Sequence, residues 1–175
     1  MENINIRKVD LGDALNLAVL KQQVWIATYA VEGIRTEFSD YVLSEFTIEN
    51  IRKTILNNNK FIYVAEIEQH LIGCLEIAFN VKCPVNTETG PEIAVLYVLE
   101  RYTGMGIGKT LLNRALSLCD ELKFSSVWLT VYHKNEREIN FYLKNSFEDA
   151  GSTFFEMGGN KYENKVLIRK ILNKP

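Results

Sequence analysis

The chain has 175 residues, a formal net charge of -2 and a pI near 5.8. Against ~150 residues per domain, that length excludes two independent enzyme domains and fits a single domain over residues 1–175. Hydrophobic residues make up 47% of the chain, with 9 Phe, 8 Tyr, 2 Trp and only 3 Pro, so a sizeable packed core is expected and a disordered tail is excluded.

Lysines and arginines are scattered rather than gathered into a stripe that would neutralise a run of phosphates, so nucleic acid is not an expected partner. Cys74, Cys83 and Cys119 are odd in number and too far apart for C-x-x-C pairing. This argues against a disulfide framework or a zinc site and points to a reducing compartment and no metal. An acid stands near the start, where a signal peptide carries positive charge, and the longest apolar run is Ile93 to Leu99. The expectation is a cytoplasmic protein with no membrane span.

Asn3 to Val9 alternates and reads as a strand, closed by Asp10. From Leu11 to Tyr29 the apolar positions Leu15, Val19, Val24 and Tyr29, with Leu17, Leu20 and Ile26, predict a helix with a broad buried face that stops near Gly33. Phe38, Tyr41, Val42 and Phe46 have helical spacing. Thr47 and Asn50 open a third helical pattern of Ile48, Ile51, Ile55 and Leu56, ended by Asn57 to Asn59.

The period then changes. Phe61 to Ile67 and Leu71 to Phe79 flank Glu68-Gln69-His70 as a hairpin. Val81 to Pro91 reads as a surface loop, and Ile93 to Leu99 as a strand buried on both faces. Gly104 to Leu122 carries the helical stripe Leu111, Leu112, Ala115, Leu118, Cys119 and Leu122. Val127 to Tyr132 is a strand, Glu136 to Asn145 a short helix, and Phe154 to Met157 and Val166 to Ile171 are closing strands.

The segment R-Y-T-G-M-G-I-G-K-T from Arg101 to Thr110 sits between a strand and a helix. Its glycines let backbone N–H groups approach a ligand, and unpaired amides at a helix N-terminus favour a phosphate or pyrophosphate. A Walker A loop would use Gly108, Lys109 and Thr110 but needs glycine where Thr103 stands. A dinucleotide fingerprint needs glycine where Lys109 stands.

R-x-x-G-x-G at Arg101, Gly104 and Gly106 resembles the acyl-coenzyme A pyrophosphate loop of the GNAT acetyltransferase superfamily. The segment N-E-R-E-I-N-F-Y-L-K-N-S-F, Asn135 to Phe147, resembles that family's second motif, N-x-x-A-x-x-F-Y-x-x-x-G-F, and the element order agrees over nearly the whole chain. Departures occur at Ile139 or Asn140 and at Ser146, where the family has small residues and glycine. The resemblance implies an α/β GNAT fold, a mixed and mostly antiparallel sheet flanked by helices, and N-acetyl transfer from acetyl-coenzyme A to a primary amine. The amine would belong to a small molecule such as a polyamine, or to a protein or peptide.

It further implies pantetheine along the backbone at Leu96 and Val98, and pyrophosphate on amides from Arg101 through Thr103, Gly104, Gly106 and Gly108 to Lys109. Asn135 would cap the second helix and touch the cofactor, and Lys144 would approach a phosphate. Tyr142 is at the position the family uses to protonate the departing thiolate. An amine of pKa ~10.4 must lose a proton before attack, which at pH 7 costs ~4.6 kcal/mol. Glu92, six residues before Val98, is the first choice of base, directly or through water, with Glu76 second.

Trp25, Tyr29, Phe38 and Tyr41 are an aromatic stripe that reads as core or as acceptor wall, with Glu32, Glu37 and Asp40 as acids suited to a cationic amine. His70, His133 and Cys119 are expected to be non-catalytic. A homodimer is compatible with all of this. Two other classes compete: a non-catalytic acyl-coenzyme A-binding regulatory module, and a phosphotransferase built on Gly108-Lys109-Thr110.

Overall fold

The computed structural model describes residues 4–171, and Asn3, expected at the start of the first strand, lies outside them. Strands β1 (Asn5–Lys8), β2 (Lys60–Ile67), β3 (His70–Lys82), β4 (Thr89–Val98), β5 (Ser126–Tyr132), β6 (Glu148–Met157) and β7 (Asn160–Lys170) form one sheet in the order β1-β2-β3-β4-β5-β7-β6. The sheet is mixed and mostly antiparallel. Helices α1 (Ala14–Tyr29), α2 (Thr36–Glu45) and α3 (Ile48–Ile55) separate β1 from β2. α4 (Ile107–Glu121) is the crossover between the parallel strands β4 and β5, and α5 (Glu136–Lys144) follows β5.

The chain folds as two compact units, Met1–Glu76 with Val95–Asn113, and Ile77–Ala94 with Arg114–Pro175. In the first, Val9, Ala14, Leu17, Ala18, Leu20, Ile51, Ile62, Val64 and Cys74 form the core, with Val95, Tyr97 and Leu99 packed against it. The face that α1 buries is Ala14, Leu17, Ala18, Leu20, Lys21 and Trp25. This corrects the sequence expectation, since Leu15 and Val19 are 57% and 56% exposed. Apolar residues outnumber the positions α1 can bury, and a lysine occupies one of them.

Caps fall where the side chains predict. Thr47 accepts from the Asn50 amide at 3.1 Å to start α3. The β2–β3 hairpin turns through Glu68 and Gln69, both at positive φ (48° and 68°), the geometry that matches the right-handed twist of the paired strands.

In the second unit β5 pairs antiparallel with β7 from Ser126↔Lys170 to Tyr132↔Asn164, and β7 pairs with β6. Val127, Leu129 and Val131 are buried on one side of β5, while Trp128 packs with Cys83 and Val166 on the other. The expected loop Val81 to Pro91 is shorter than predicted, because β3 runs to Lys82 and β4 begins at Thr89. β6 and β7 likewise start well before Phe154 and Val166; their polar, exposed halves lack the apolar alternation by which strands are recognised. Ile93 to Leu99 is not buried on both faces, since Ala94 is exposed and Val95 to Leu99 are half-buried.

Candidate active site

The turn into α4 lies in the first unit. β4 ends in a single helical turn, where the Tyr102 amide donates to the Leu99 carbonyl at 2.8 Å and the Thr103 amide to the Glu100 carbonyl at 3.1 Å. Gly104 and Gly106 follow at φ 77° and 83°, and a Cβ built on either meets nothing within 4 Å. The left-handed backbone therefore requires glycine, and the space above it is open. The Thr110 amide donates to the Gly106 carbonyl at 3.0 Å, and Ile107 and Gly108 stand in the first turn of α4, where amides have no carbonyl within the helix to bond.

Thr103, expected in the pyrophosphate cradle, is bonded within the turn. Its amide is already spent on Glu100, and its hydroxyl donates to the same carbonyl at 2.8 Å. Arg101 and Lys109 are exposed beside the turn, and Leu96 and Val98 are half-buried on β4. The Thr110 hydroxyl donates to the Gly106 carbonyl at 3.1 Å, inside its own helix, which is not the role a phosphotransferase would give it.

Deeper in the same unit, Glu76 on β3 is held at both oxygens. The Lys21 ammonium donates to Oε2 at 2.7 Å and the Lys60 ammonium to Oε1 at 2.6 Å. The Lys21 and Glu76 side chains are 5% and 4% exposed, whereas Lys60 is 29% exposed. Burial alone would raise the Glu76 pKa, but the two lysines outweigh it and hold the carboxyl below its usual range. Glu76 is thus a weaker base than a free carboxylate, and each of its oxygens already accepts from a lysine.

Tyr97 packs beside this group; it reaches Cys74, whose thiol bonds to the Tyr97 backbone and is pushed up to about 12 by burial. Burial, with the neighbouring Tyr29, Cys74, Tyr41 and Glu76, also raises the Tyr97 phenol well above the ordinary tyrosine value. Trp25 stacks on Tyr29 at 4.6 Å and on Tyr41 at 4.9 Å and meets Phe38 edge-on at 5.6 Å, so the aromatic stripe is one packed cluster. Burial, then the charge of Glu45, pushes Tyr41 up to about 12. Glu32 and Asp40 are exposed, and Glu37 pairs with Arg35 at 2.8 Å.

The second unit carries the other motif. Asn135 caps α5, accepting from the Glu138 amide at 3.3 Å and donating to the Glu138 carboxylate at 3.0 Å. Tyr142 is buried between Phe141 and Phe147, at ring distances of 5.1 and 5.5 Å. Burial, and secondarily Glu138, raises its phenol far above the usual value, so it stays protonated at any physiological pH. Ser146, where the family has glycine, adopts the left-handed φ of 64° that glycine would supply. Glu92 stands opposite Trp128 where β4 meets β5, and Lys144 is exposed in the last turn of α5. Lys21, Lys60 and Tyr97 escaped the sequence reading; the one signal available was a lysine four residues before Trp25 on an apolar face.

Residues 26–147 match the family model for the acetyltransferase (GNAT) family. The chain belongs to the GNAT acetyltransferase family. A spermidine N(1)-acetyltransferase of Thermoplasma acidophilum is 29% identical over 92% of this chain and 99% of its own length. An uncharacterized N-acetyltransferase of Mycobacterium tuberculosis is 31% identical, but only over 46% of this chain, which spans about half (52%) of that relative. Among solved structures, the PaiA N-acetyltransferase of Thermoplasma acidophilum in complex with coenzyme A has a TM-score of 0.80 at 23% identity, covering 96% of this chain and 99% of that one. A GCN5-related N-acetyltransferase of Rhodopseudomonas palustris has a TM-score of 0.74 at 15% identity, covering 97% of each chain. These likenesses establish the GNAT fold and an acyltransferase. They support neither the phosphotransferase nor the non-catalytic module. Among the described residues, no helix is long and apolar enough to cross a membrane, and no group of three or more His, Cys, Asp or Glu could hold a metal.

Proposed function

We propose that this GNAT enzyme transfers acetyl from acetyl-coenzyme A to a primary amine. The observation that carries the donor is the open glycine turn at the start of α4, where a Cβ on Gly104 or Gly106 would meet nothing within 4 Å and the first-turn amides of the helix follow. Gly104, Gly106, Gly108 and Lys109 hold the pyrophosphate there, with Arg101 alongside; the bound thioester supplies an activated acetyl group. Asn135 and Lys144 make further contacts to the cofactor, and the half-buried backbone at Leu96 and Val98 takes the pantetheine.

The chain's own groups then move two protons. The Val98 amide polarises the acyl carbonyl, and Tyr142 donates its phenolic proton to the departing sulfur. The raised Tyr142 pKa keeps that proton available, at the cost of a transfer that is uphill unless the thiolate is equally desolvated. Glu92 accepts the amine's proton. Six residues of extended strand, up to ~20 Å, separate it from Val98, so the proton travels through water. Trp25, Tyr29 and Glu32 form the acceptor side; the name of the Thermoplasma relative supports an amine as the acceptor group.

The test is Tyr142→Phe. A kcat lower by ~10²- to 10⁴-fold, with coenzyme A affinity by calorimetry nearly unchanged, is the expected result. Wild-type kcat with chemistry rate-limiting would return Tyr142 to the core.

A further inference from the structure

Lys21 is a buried ammonium with three donors, of which Glu76 takes one. Buried polar groups are satisfied by protein, water or ligand, and the single charge of Glu76 is shared with Lys60, which holds its other oxygen. Two ammoniums therefore share one carboxylate, and the cluster opens to solvent on the Lys60 side.

Its position is on the acceptor side of the reading above. Lys21, Trp25 and Tyr29 are four apart on α1, and so lie one above another on one helix face. Cys74 and Glu76 share one face of β3, with the Tyr97 backbone bonded to Cys74. Tyr97 directly precedes Val98. Of the carboxylates of this unit's helical block, Glu32, Asp40, Glu45 and Glu49 are exposed and the half-buried Glu37 pairs with Arg35 at 2.8 Å, so among the described residues Glu76 is the carboxylate that Lys21 and Lys60 share.

We infer that Lys21 recognises the acceptor and that the acceptor carries a carboxylate as well as its amine. This inference rests on the acetyl-transfer reading and narrows its substrate class. A carboxylate entering beside Lys60 would take up the unused Lys21 donors and balance the second ammonium, as charge-assisted hydrogen bonds. A bare polyamine would instead bring another ammonium against two lysines. The Lys21–Glu76 pair would then be part of acceptor selection.

Two matched pairs test this: ornithine against putrescine, and lysine against cadaverine. The members of each pair share a chain and a terminal amine and differ by one carboxylate. The wild type should show kcat/KM at least tenfold higher for ornithine and lysine. Lys21→Met, which leaves Lys60 on Glu76, should bring each ratio near one, while Lys21→Arg should keep it above one. Equal or better use of the diamines, or ratios unchanged in a folded Lys21→Met protein, would overturn the inference. So would the absence of both turnover and a melting-temperature rise with all four compounds in the presence of coenzyme A. If Lys21→Met does not fold, the wild-type ratios and Lys21→Arg decide. A protein whose melting temperature does not rise with coenzyme A alone would instead sink the acetyl-transfer reading.

Discussion

The turn into α4 and the Lys21–Glu76–Lys60 cluster lie in the same unit and are built in opposite ways. The turn works through backbone: two glycines at positive φ, no atom within 4 Å of a Cβ on either, and the first-turn amides of α4 just after them. The cluster works through side chains gathered from α1, β2 and β3, with Lys21 and Glu76 55 residues apart in sequence. A backbone site spans a few consecutive residues and tolerates little change in residue type. A side-chain cluster is assembled only by the fold, and its members are costly to remove singly because each neutralises another.

The largest effect should come from the cluster. Glu76→Leu leaves Lys21 buried without its carboxylate and should destabilise the protein by ~3–5 kcal/mol in denaturant unfolding. Adding Lys21→Met should recover most of that loss, since a well-packed apolar pair replaces an ion pair at little net cost. If the single and double variants are equally unstable, the cluster is not held together by charge.

A second charge network sharpens the contrast nearer the surface. Arg7 binds Asp13 at 2.7 and 2.8 Å and Glu66 at 2.9 to 3.0 Å. Its hydrogen bonds, chiefly, hold both carboxyls below their usual range, against the effect of burial. Groups with depressed folded pKa values stabilise above their unfolded values near ~4, and that contribution disappears as pH falls through the folded ones. Arg7→Leu should therefore cost ~1.5–3 kcal/mol at pH 7. Its acid-unfolding midpoint should also rise, because the largest interaction holding both carboxyls down is then gone. A midpoint that does not move would detach Arg7 from the acid stability.

The smallest effect on stability, and a large one on ligand, should come from the turn. Gly106→Ala has room for its methyl but forces a left-handed alanine, worth ~1–2 kcal/mol. Coenzyme A affinity measured by calorimetry should fall well beyond what that strain explains, because the methyl stands where the pyrophosphate is read to lie. Unchanged affinity would remove the turn from the donor site.

The same contrast governs what the sequence discloses. Gly104, Gly106, Asn135 and Phe141-Tyr142 are read as short motifs because local geometry restricts which residues can stand there, and the helices and the β2–β3 hairpin follow from period and turn residues. Burial is less legible. Leu15 and Val19 are as apolar as Leu17, yet only the fold decides which of them faces the core. The exposed halves of β6 and β7 carry no alternation, because an edge hairpin with one wet side is paired by backbone rather than by apolar contact. Lys21 and Lys60 look like surface lysines until β3 brings Glu76 between them, and Thr103 looks like part of a cradle until its amide is found on Glu100.

The pairing of β1 with β2 has a bearing on how the protein is made. Asn5 stands opposite Glu66, with their side chains bonded at 2.9 Å across a separation of 61 residues. At ~5–20 residues per second of synthesis, β1 waits ~3–12 s for the strand that will pair with it. During that wait α1, α2 and α3 are already made and can form from local contacts, whereas β1 must close a long loop before any ladder bond rewards it. Of the elements in residues 5–67, β1 is thus the last to find its place, and the Arg7 clamp locks it once β2 arrives.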